Sequence, residues 1–281
     1  MSFDLPLHVE TVGQPNDPGT DVFVLLHGYG ASSFTWRYWA PVLGRRGHVV
    51  LVDMKGFGAA PKPDDGQYGP QHLSDLVYRL LVQRGLTRVT LIGHSLGGGV
   101  SLLTALRMLD EGQGRLHRLV LVSGAAYRQR LPRFVALARW PRVSTVLMSL
   151  LGPRRLIRLV LQSIVFDKTA LTPSQIEGYA DPLRKHGARR ALFWAAAQIV
   201  PDDIDDFTVR FPEIDVPTLA LWGRHDRVVP LWVGERLAEE LPRAELKILE
   251  QCGHVPTEEL PRESLEALTA FLDRTQDGLS S

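Results

Sequence analysis

The apolar positions of this chain form short β-branched runs that alternate with longer runs of helical, amphipathic spacing. Apolar runs bounded by glycine, proline, asparagine and aspartate predict buried strands, and a period near 3.6 residues predicts helices. The predicted strands are Leu5–Val12, Val22–Leu26, His48–Val52, the run that begins at Val89, Arg118–Ser123, Thr218–Trp222 and Ala244–Leu249. The predicted helices are Ser32 or Ser33 to Leu43, Gln71–Arg84, Val100–Leu109, Pro230–Leu241 and Glu263–Asp273, followed by a frayed tail to Ser281. This alternation indicates an α/β fold with a doubly wound, mostly parallel sheet covered on both faces.

The alternation of strands and helices stops in the middle of the chain. From about Tyr127 to Phe211 the spacing predicts helices alone, and the next strand begins near Val216. A helical segment of that size between two core strands indicates a cap. The predicted domains are an α/β core of residues 1–126 and 214–281 and a helical cap of residues 127–213.

Composition excludes several classes of protein. The chain has 281 residues, 44% apolar and 22% charged, which is ordinary for a soluble globular protein. A net charge of +1 gives no indication of nucleic-acid binding, and a single cysteine excludes an internal disulfide or a multi-cysteine metal site. Residues 1–20 lack the pattern of a signal peptide, and no apolar run approaches the ~20 residues that span a bilayer. We therefore expect a cytoplasmic enzyme.

The strand that begins at Val89 leads into Gly93-His94-Ser95-Leu96-Gly97, and an amphipathic helix follows. In this strand–turn–helix context a Gly-x-Ser-x-Gly pentad is typical of a nucleophile held in a tight turn. Gly93 and Gly97 have no Cβ to collide with the turn, and the helix N-terminus directs unpaired amides towards the serine. The sequence therefore predicts Ser95 as a nucleophile.

A serine nucleophile needs a base, commonly a histidine oriented by a carboxylate. Asp226 follows the strand Thr218–Trp222, and His254 follows the strand Ala244–Leu249. Open α/β sheets place ligands beyond the carboxyl ends of their strands, where both residues are expected. The chain order serine, acid, histidine is that of doubly wound hydrolases.

With these motifs the chain resembles the α/β-hydrolase superfamily in its capped form, from Val22 to Leu272. Further motifs agree with the resemblance: His27-Gly28-Tyr29, Asp53-x-x-Gly56-x-Gly58, and Gly253-His254-x-Pro256-x-x-Glu259-x-Pro261. The resemblance implies that the backbone amides of Tyr29 and Leu96 form the oxyanion hole. Two positions, Lys55 and Ala60, depart from the family's usual pattern, and neither carries the chemistry. Because only one strand precedes Val22, the sheet is expected to lack the outermost strand of many relatives.

Other residues compete for the catalytic roles. His27 and His94 lie beside the oxyanion loop and the serine, so we expect them, with Gly28, Gly93 and Gly97, to support the backbone there. His225 is adjacent to Asp226 and should point elsewhere, and Cys252 is expected to be a small buried residue. The acidic cluster of the cap, Asp202, Asp203, Asp205 and Asp206, is interpreted as a solvated loop or helix end rather than a source of the catalytic acid. No spacing of histidines and carboxylates predicts a metal site, and no cofactor is expected.

A serine at the turn favours acyl transfer to water, because relatives that open epoxides or displace halide carry a carboxylate there. The first hypothesis is a hydrolase of small to medium hydrophobic carboxylic esters. An alternative is a carbon–carbon bond hydrolase of vinylogous diketones, although many of those have an aromatic residue where this chain has Val255. An alternative of another class is a ligand-binding protein with negligible turnover. Phe166, Phe193, Trp194 and Val255 are predicted to line the substrate pocket.

The predicted cap carries an uneven charge. From Tyr127 to Val160 there are eight arginines and neither aspartate nor glutamate. One hypothesis is that a cationic amphipathic lid makes weak contact with an anionic membrane or guides an anionic or lipid-like substrate. The alternative is an ordinary cap with its apolar face on the pocket and its arginines in water.

Overall fold

A computed structural model describes residues 4–112 and 114–276, so residues 277–281 of the predicted frayed tail lie outside the described residues. Seven strands form one sheet: β1 (His8–Gly13), β2 (Val22–Leu26), β3 (His48–Asp53), β4 (Val89–His94), β5 (Leu116–Val122), β6 (Thr218–Gly223) and β7 (Ala244–Leu249). Their order is β1-β3-β2-β4-β5-β6-β7. β1 is antiparallel to β3, and every other pair is parallel. The predicted mostly parallel α/β sheet is confirmed, and it has one strand before β2.

The α-helices follow the chain as α1 (Ala40–Gly44), α2 (Pro70–Gln83), α3 (Leu96–Asp110), α4 (Arg133–Ala138), α5 (Pro141–Ile164), α6 (Pro173–Ala180), α7 (Ala188–Gln198), α8 (Ile204–Thr208), α9 (Leu231–Glu240), α10 (Pro256–Glu259) and α11 (Pro261–Arg274). Short 3₁₀ helices span Ser33–Trp36, Asp181–Arg184 and Phe211–Glu213. Apolar residues of α2, α3 and α9 pack on one face of the sheet, and those of α1 and α11 pack on the other. The sheet is therefore covered on both faces. In the described part of the chain, none of the helices combines the length and the apolar composition that a membrane crossing requires.

The predicted single helix from Ser32 or Ser33 to Leu43 is wrong. The segment folds as the 3₁₀ helix Ser33–Trp36, capped by the Ser32 hydroxyl, and the separate helix α1. Pro41 explains the break, because it has no amide to donate to the carbonyl four residues earlier and its ring crowds that carbonyl.

Helices α4 to α8 and the 3₁₀ helix Phe211–Glu213 form a helical insertion, residues 133–213, between β5 and β6. Its longest helix, α5, is broken at Gly152, whose φ of 68° and ψ of 162° are not helical. Such a backbone conformation is open almost exclusively to glycine. Beyond the break, Ile157 and Leu161 pack against Ile176 and Tyr179 of α6. The second half of α5 is thereby joined to the rest of the insertion.

Candidate active site

Ser95 lies at the turn between β4 and α3, in the middle of the sheet. Its φ of 53° and ψ of −116° are strained for a residue with a side chain. The turn is also crowded, because a Cβ on Gly93 would lie 2.2 Å from the carbonyl oxygen of Gly97. A Cβ on Gly97 would lie 2.2 Å from the carbonyl oxygen of Leu26. Both glycines are therefore needed for the turn that presents the Ser95 hydroxyl.

The Ser95 hydroxyl is the first member of a series of hydrogen bonds. It lies 3.0 Å from Nε2 of His254, and Nδ1 of His254 lies 2.8 Å from Oδ2 of Asp226. The other carboxylate oxygen of Asp226 accepts the backbone amides of Val228 at 2.8 Å and Val229 at 2.9 Å. A carboxylate oxygen can only accept, so Nδ1 carries the imidazole proton and donates to Asp226. Nε2 then faces Ser95 with a free lone pair.

The loop that carries His254 is fixed by the carboxylate of Glu259. This carboxylate accepts the amides of Gly253 at 2.9 Å, Val255 at 3.0 Å and Phe166 at 2.6 Å. The amide of His254 donates to the carbonyl of Ile164, the last residue of α5, at 2.9 Å. The helical insertion is thus bound directly to the histidine loop. The histidine-loop motif contains Glu259, but this role of its carboxylate was not predicted from the sequence.

Two further histidines hold the backbone around the serine. Nε2 of His94 donates to the carbonyl of His254 at 2.9 Å. Burial, together with the neighbouring His254, lowers the pKa of His94 to about 3. Nδ1 of His27 donates to the carbonyl of Gly28 at 2.8 Å, and its Nε2 accepts the amide of Met54 at 3.1 Å. Burial lowers the pKa of His27 as well, so both rings are neutral supports.

Tyr29 and Leu96, the expected oxyanion residues, line the cavity beside Ser95. Leu96 is the first residue of α3, where a helix has no carbonyl for the backbone amide to bond. The Tyr29 hydroxyl donates to the carbonyl of Leu192 in α7 at 2.9 Å. This bond ties the loop after β2 to the helical insertion.

The cavity that contains Ser95, here called the serine cavity, has a volume of about 150 Å³. Its wall is mostly aliphatic and aromatic and contains no lysine, arginine, aspartate or glutamate. A second cavity of about 140 Å³, here called the outer cavity, is lined by Leu137, Leu156 and Leu192 among others. The two cavities share Tyr29, Gly30, Phe134, Ile157 and Val160. They therefore form adjoining compartments that are mostly apolar, with Arg189 in the wall of the outer one.

The four predicted pocket residues have different positions. Val255 lines the serine cavity, and Phe193 lines the outer cavity. The prediction that Phe166 lines the pocket is wrong. Phe166 lies on the surface, 44% exposed, and its ring stacks on His225 with centroids 4.7 Å apart. The prediction for Trp194 is also wrong, since Trp194 packs beside Phe193 and lines neither the serine cavity nor the outer cavity.

The remaining competitors, Cys252 and the acidic cluster, lie outside the series Ser95–His254–Asp226. Cys252 is buried, and burial raises the pKa of its thiol, which makes the thiol unreactive. In the acidic cluster, Asp203 accepts the side-chain amide of Gln71 and Asp205 pairs with Arg128. Across residues 4–112 and 114–276, no group of three histidine, cysteine or acidic side chains is placed to hold a metal ion.

A buried polar cluster joins the histidine loop to the insertion. The carboxylate of Glu258, four residues after His254, accepts the Tyr179 hydroxyl at 2.7 Å and Nε2 of Gln175 at 3.0 Å. It also forms a two-pronged ion pair with Arg37. The Glu258 side chain is only 3% exposed, so these partners replace water. No sequence motif predicted this cluster.

Comparisons with known proteins cover nearly the whole chain. A sequence profile described as "Alpha/beta hydrolase family" matches residues 23–267. The uncharacterized hydrolase YugF of Bacillus subtilis (strain 168) is 28% identical over 268 residues, 91% of each chain. The 2-hydroxy-6-oxononadienedioate/2-hydroxy-6-oxononatrienedioate hydrolase of Paraburkholderia xenovorans (strain LB400) is 30% identical over 265 residues, 89% of this chain and 85% of that one. The solved esterase EaEST of Exiguobacterium antarcticum shares the fold, with a TM-score of 0.78 at 22% identity over 95% of each chain.

Proposed function

The chain belongs to the alpha/beta hydrolase family, and we propose that it hydrolyses neutral carboxylic esters of small to medium apolar molecules. The observation that carries this proposal is the series Ser95–His254–Asp226 opening into a cavity whose wall has no lysine, arginine, aspartate or glutamate. The first feature supplies an activated nucleophile. The second suits an uncharged substrate.

In the proposed reaction, the Ser95 oxygen attacks the ester carbonyl while Nε2 of His254 takes the hydroxyl proton. The imidazolium that forms is stabilised by Asp226 through Nδ1. The amides of Tyr29 and Leu96 bind the carbonyl oxygen as it becomes negative, an interaction whose loss costs ~100- to 1000-fold in rate. His254 then gives its proton to the leaving alcohol, and a water molecule attacks the acyl group by the same route.

The charge of the substrate separates the ester hypothesis from its alternative. The substrate in the name of the Paraburkholderia relative is a dioate, which carries two carboxylates and no ester, so its hydrolysis breaks a carbon–carbon bond. Binding a carboxylate in an apolar site without a cation is costly. The serine cavity offers no lysine or arginine, and among the residues that line the outer cavity Arg189 is the single cation for two carboxylates, which supports a neutral ester over a dicarboxylate.

Carbon–carbon bond hydrolysis is the second candidate, because the 30% identity to that relative favours it. Two substrates with one active-site control separate the candidates. We expect turnover of p-nitrophenyl esters from acetate to palmitate, lost in Ser95→Ala, and no turnover of 2-hydroxy-6-oxononadienedioate. Turnover of the dioate above that of the esters would replace the proposal with the second candidate. Absence of turnover on both would reject hydrolysis of either class.

The volume of the cavities predicts the preferred acyl chain. A cavity of about 150 Å³ holds a molecule of the size of benzene. With the outer cavity beside it, kcat/KM should peak at an acyl chain of about four to eight carbons and fall at palmitate.

A further inference from the structure

Part of the helical insertion exposes an apolar stripe to solvent. Trp140 is 67% exposed, Val146 56% and Leu150 74%, and Val143 is exposed beside them. Val143, Val146 and Leu150 follow each other at helical spacing in the first half of α5, so they share one face. An amphipathic helix ordinarily turns such a face to the core, and an exposed apolar patch indicates an interaction surface.

The segment that carries this stripe is also rich in arginine. Five of them are exposed and have no carboxylate within 4.0 Å among the described residues: Arg133, Arg139, Arg142, Arg155 and Arg158. The segment Tyr127–Val160 carries eight positive charges and no negative charge, whereas the whole chain has a net charge of +1. The charge is thus concentrated on the segment that carries the stripe, and it attracts an anionic partner.

The stripe lies at the end of an apolar path to the active site. Leu137, 45% exposed, and Ala138 line the outer cavity. That cavity shares Phe134, Ile157 and Val160 with the serine cavity. An apolar ligand that leaves a lipid phase at the stripe therefore meets apolar side chains along the way to Ser95.

We propose that the stripe and its arginines, here called the α4–α5 face, dock on an anionic lipid surface. A lipid surface offers apolar chains to Trp140, Val146 and Leu150 and negative head groups to the arginines at the same depth. A second copy of the chain would oppose arginines with arginines, which disfavours a dimer through this face. This docking goes beyond ester hydrolysis and requires no turnover.

The test measures binding of the Ser95→Ala protein to vesicles by flotation, so catalysis does not enter the result. Phosphatidylcholine vesicles are compared with vesicles that also contain phosphatidylglycerol, at low and high salt. We expect binding to the anionic vesicles alone, weakened by salt. One arginine near an anionic surface contributes about fivefold in binding. Arg139→Gln with Arg142→Gln should therefore weaken binding by about 25-fold.

A matched control removes two exposed arginines from the opposite end of the sheet. Arg84→Gln with Arg243→Gln changes the net charge equally but should alter binding by less than about twofold. Trp140→Ser with Leu150→Ser tests the apolar part and should weaken binding by about tenfold or more. All six side chains are exposed, so thermal unfolding should be unchanged.

Three results would overturn the proposal. Equal binding to neutral and anionic vesicles would remove the role of the arginines. Equal loss in the Arg139/Arg142 and Arg84/Arg243 variants would show that net charge, not this face, governs binding. A dimer at micromolar concentration that Leu150→Ser dissociates would show that a second copy covers the stripe.

Discussion

Replacing Asp226 by asparagine tests the proposed catalytic series most sharply. One carboxylate oxygen of Asp226 accepts two amides, from Val228 at 2.8 Å and Val229 at 2.9 Å, and the other accepts Nδ1–H of His254 at 2.8 Å. In Asp226→Asn the side-chain oxygen must remain on the two amides, since an NH₂ group there would face two donors. The NH₂ group therefore points at His254.

The consequence is a change of tautomer. Nδ1 of His254 must accept from Asn, so the imidazole proton moves to Nε2, which faces Ser95 at 3.0 Å. A protonated Nε2 cannot take the serine proton. In serine proteases this tautomer error lowers kcat by about 10⁴, which is about 5 kcal/mol in activation free energy. We expect the same loss in kcat for p-nitrophenyl butanoate, with little change in KM because the cavity wall is intact.

The assay compares kcat at pH 7 for four proteins, namely wild type, Asp226→Asn, Asp206→Asn and Ser95→Ala. Asp206 is an exposed member of the acidic cluster, so Asp206→Asn controls for loss of a carboxylate and should keep full activity. Ser95→Ala sets the background rate. Circular dichroism checks folding, which should persist because the two amide bonds are kept. If Asp226→Asn retained more than a tenth of kcat, or if Asp206→Asn lost activity, the assignment of the acid would be refuted.

Three further predictions concern stability. In Gly93→Ala the new Cβ lies 2.2 Å from the carbonyl oxygen of Gly97, so urea titration should show that the free energy of unfolding falls by about 3 kcal/mol. The control is Gly69→Ala, whose new Cβ has its nearest neighbour at 3.4 Å and should lower the free energy of unfolding by less than about 1 kcal/mol. Glu258→Gln leaves a buried ion pair broken and should lower the free energy of unfolding by about 3 kcal/mol; a loss under about 0.5 kcal/mol would contradict the role given to the buried cluster. The pKa of His94 is depressed to about 3 in the folded state, whereas in the unfolded state His94 binds a proton below about pH 6.5. Between these two values only the unfolded state takes up the proton. The free energy of unfolding should therefore fall by about 1.4 kcal/mol for each pH unit of acidification in that window. Comparing wild type with His94→Gln at pH 7 and pH 5 checks this, and equal pH dependence in both proteins would exclude His94 as the cause.

Much of the active site could be predicted because its residues sit close to strand ends. Ser95 follows β4 directly, Asp226 lies three residues after β6, and His254 lies five after β7. In a parallel sheet the carboxyl ends of all strands lie at one edge, so side chains on the loops that follow them come close together. This holds even if the exact pairing of residues between strands is not known. Sequence patterns resolve strand ends well when the strands are continuous apolar runs.

The pocket wall could not be predicted in the same way. Phe166 follows α5, where the backbone of Val165 is extended, and its ring turns outward onto His225. The direction of such a side chain depends on how the insertion packs, which no local pattern encodes. The Glu258 cluster could not be predicted for the same reason, because the partners Arg37 and Tyr179 lie 221 and 79 residues away from Glu258 in the chain.

The contacts of the insertion divide it into a fixed and a free part. The carbonyl of Ile164, at the end of α5, accepts the amide of His254, and the amide of Phe166, two residues later, donates to Glu259. The Tyr179 hydroxyl in α6 donates to Glu258. By contrast, every described side chain of residues 141–150 is exposed, and the backbone breaks at Gly152. Because few buried contacts mean a low free energy of local opening, amides of residues 143–151 should exchange with deuterium much faster than those of residues 157–164. Equal protection of the two halves of α5 would contradict this division. A faster first half would place the opening of the cavities on the side of the α4–α5 face, with His254 undisturbed.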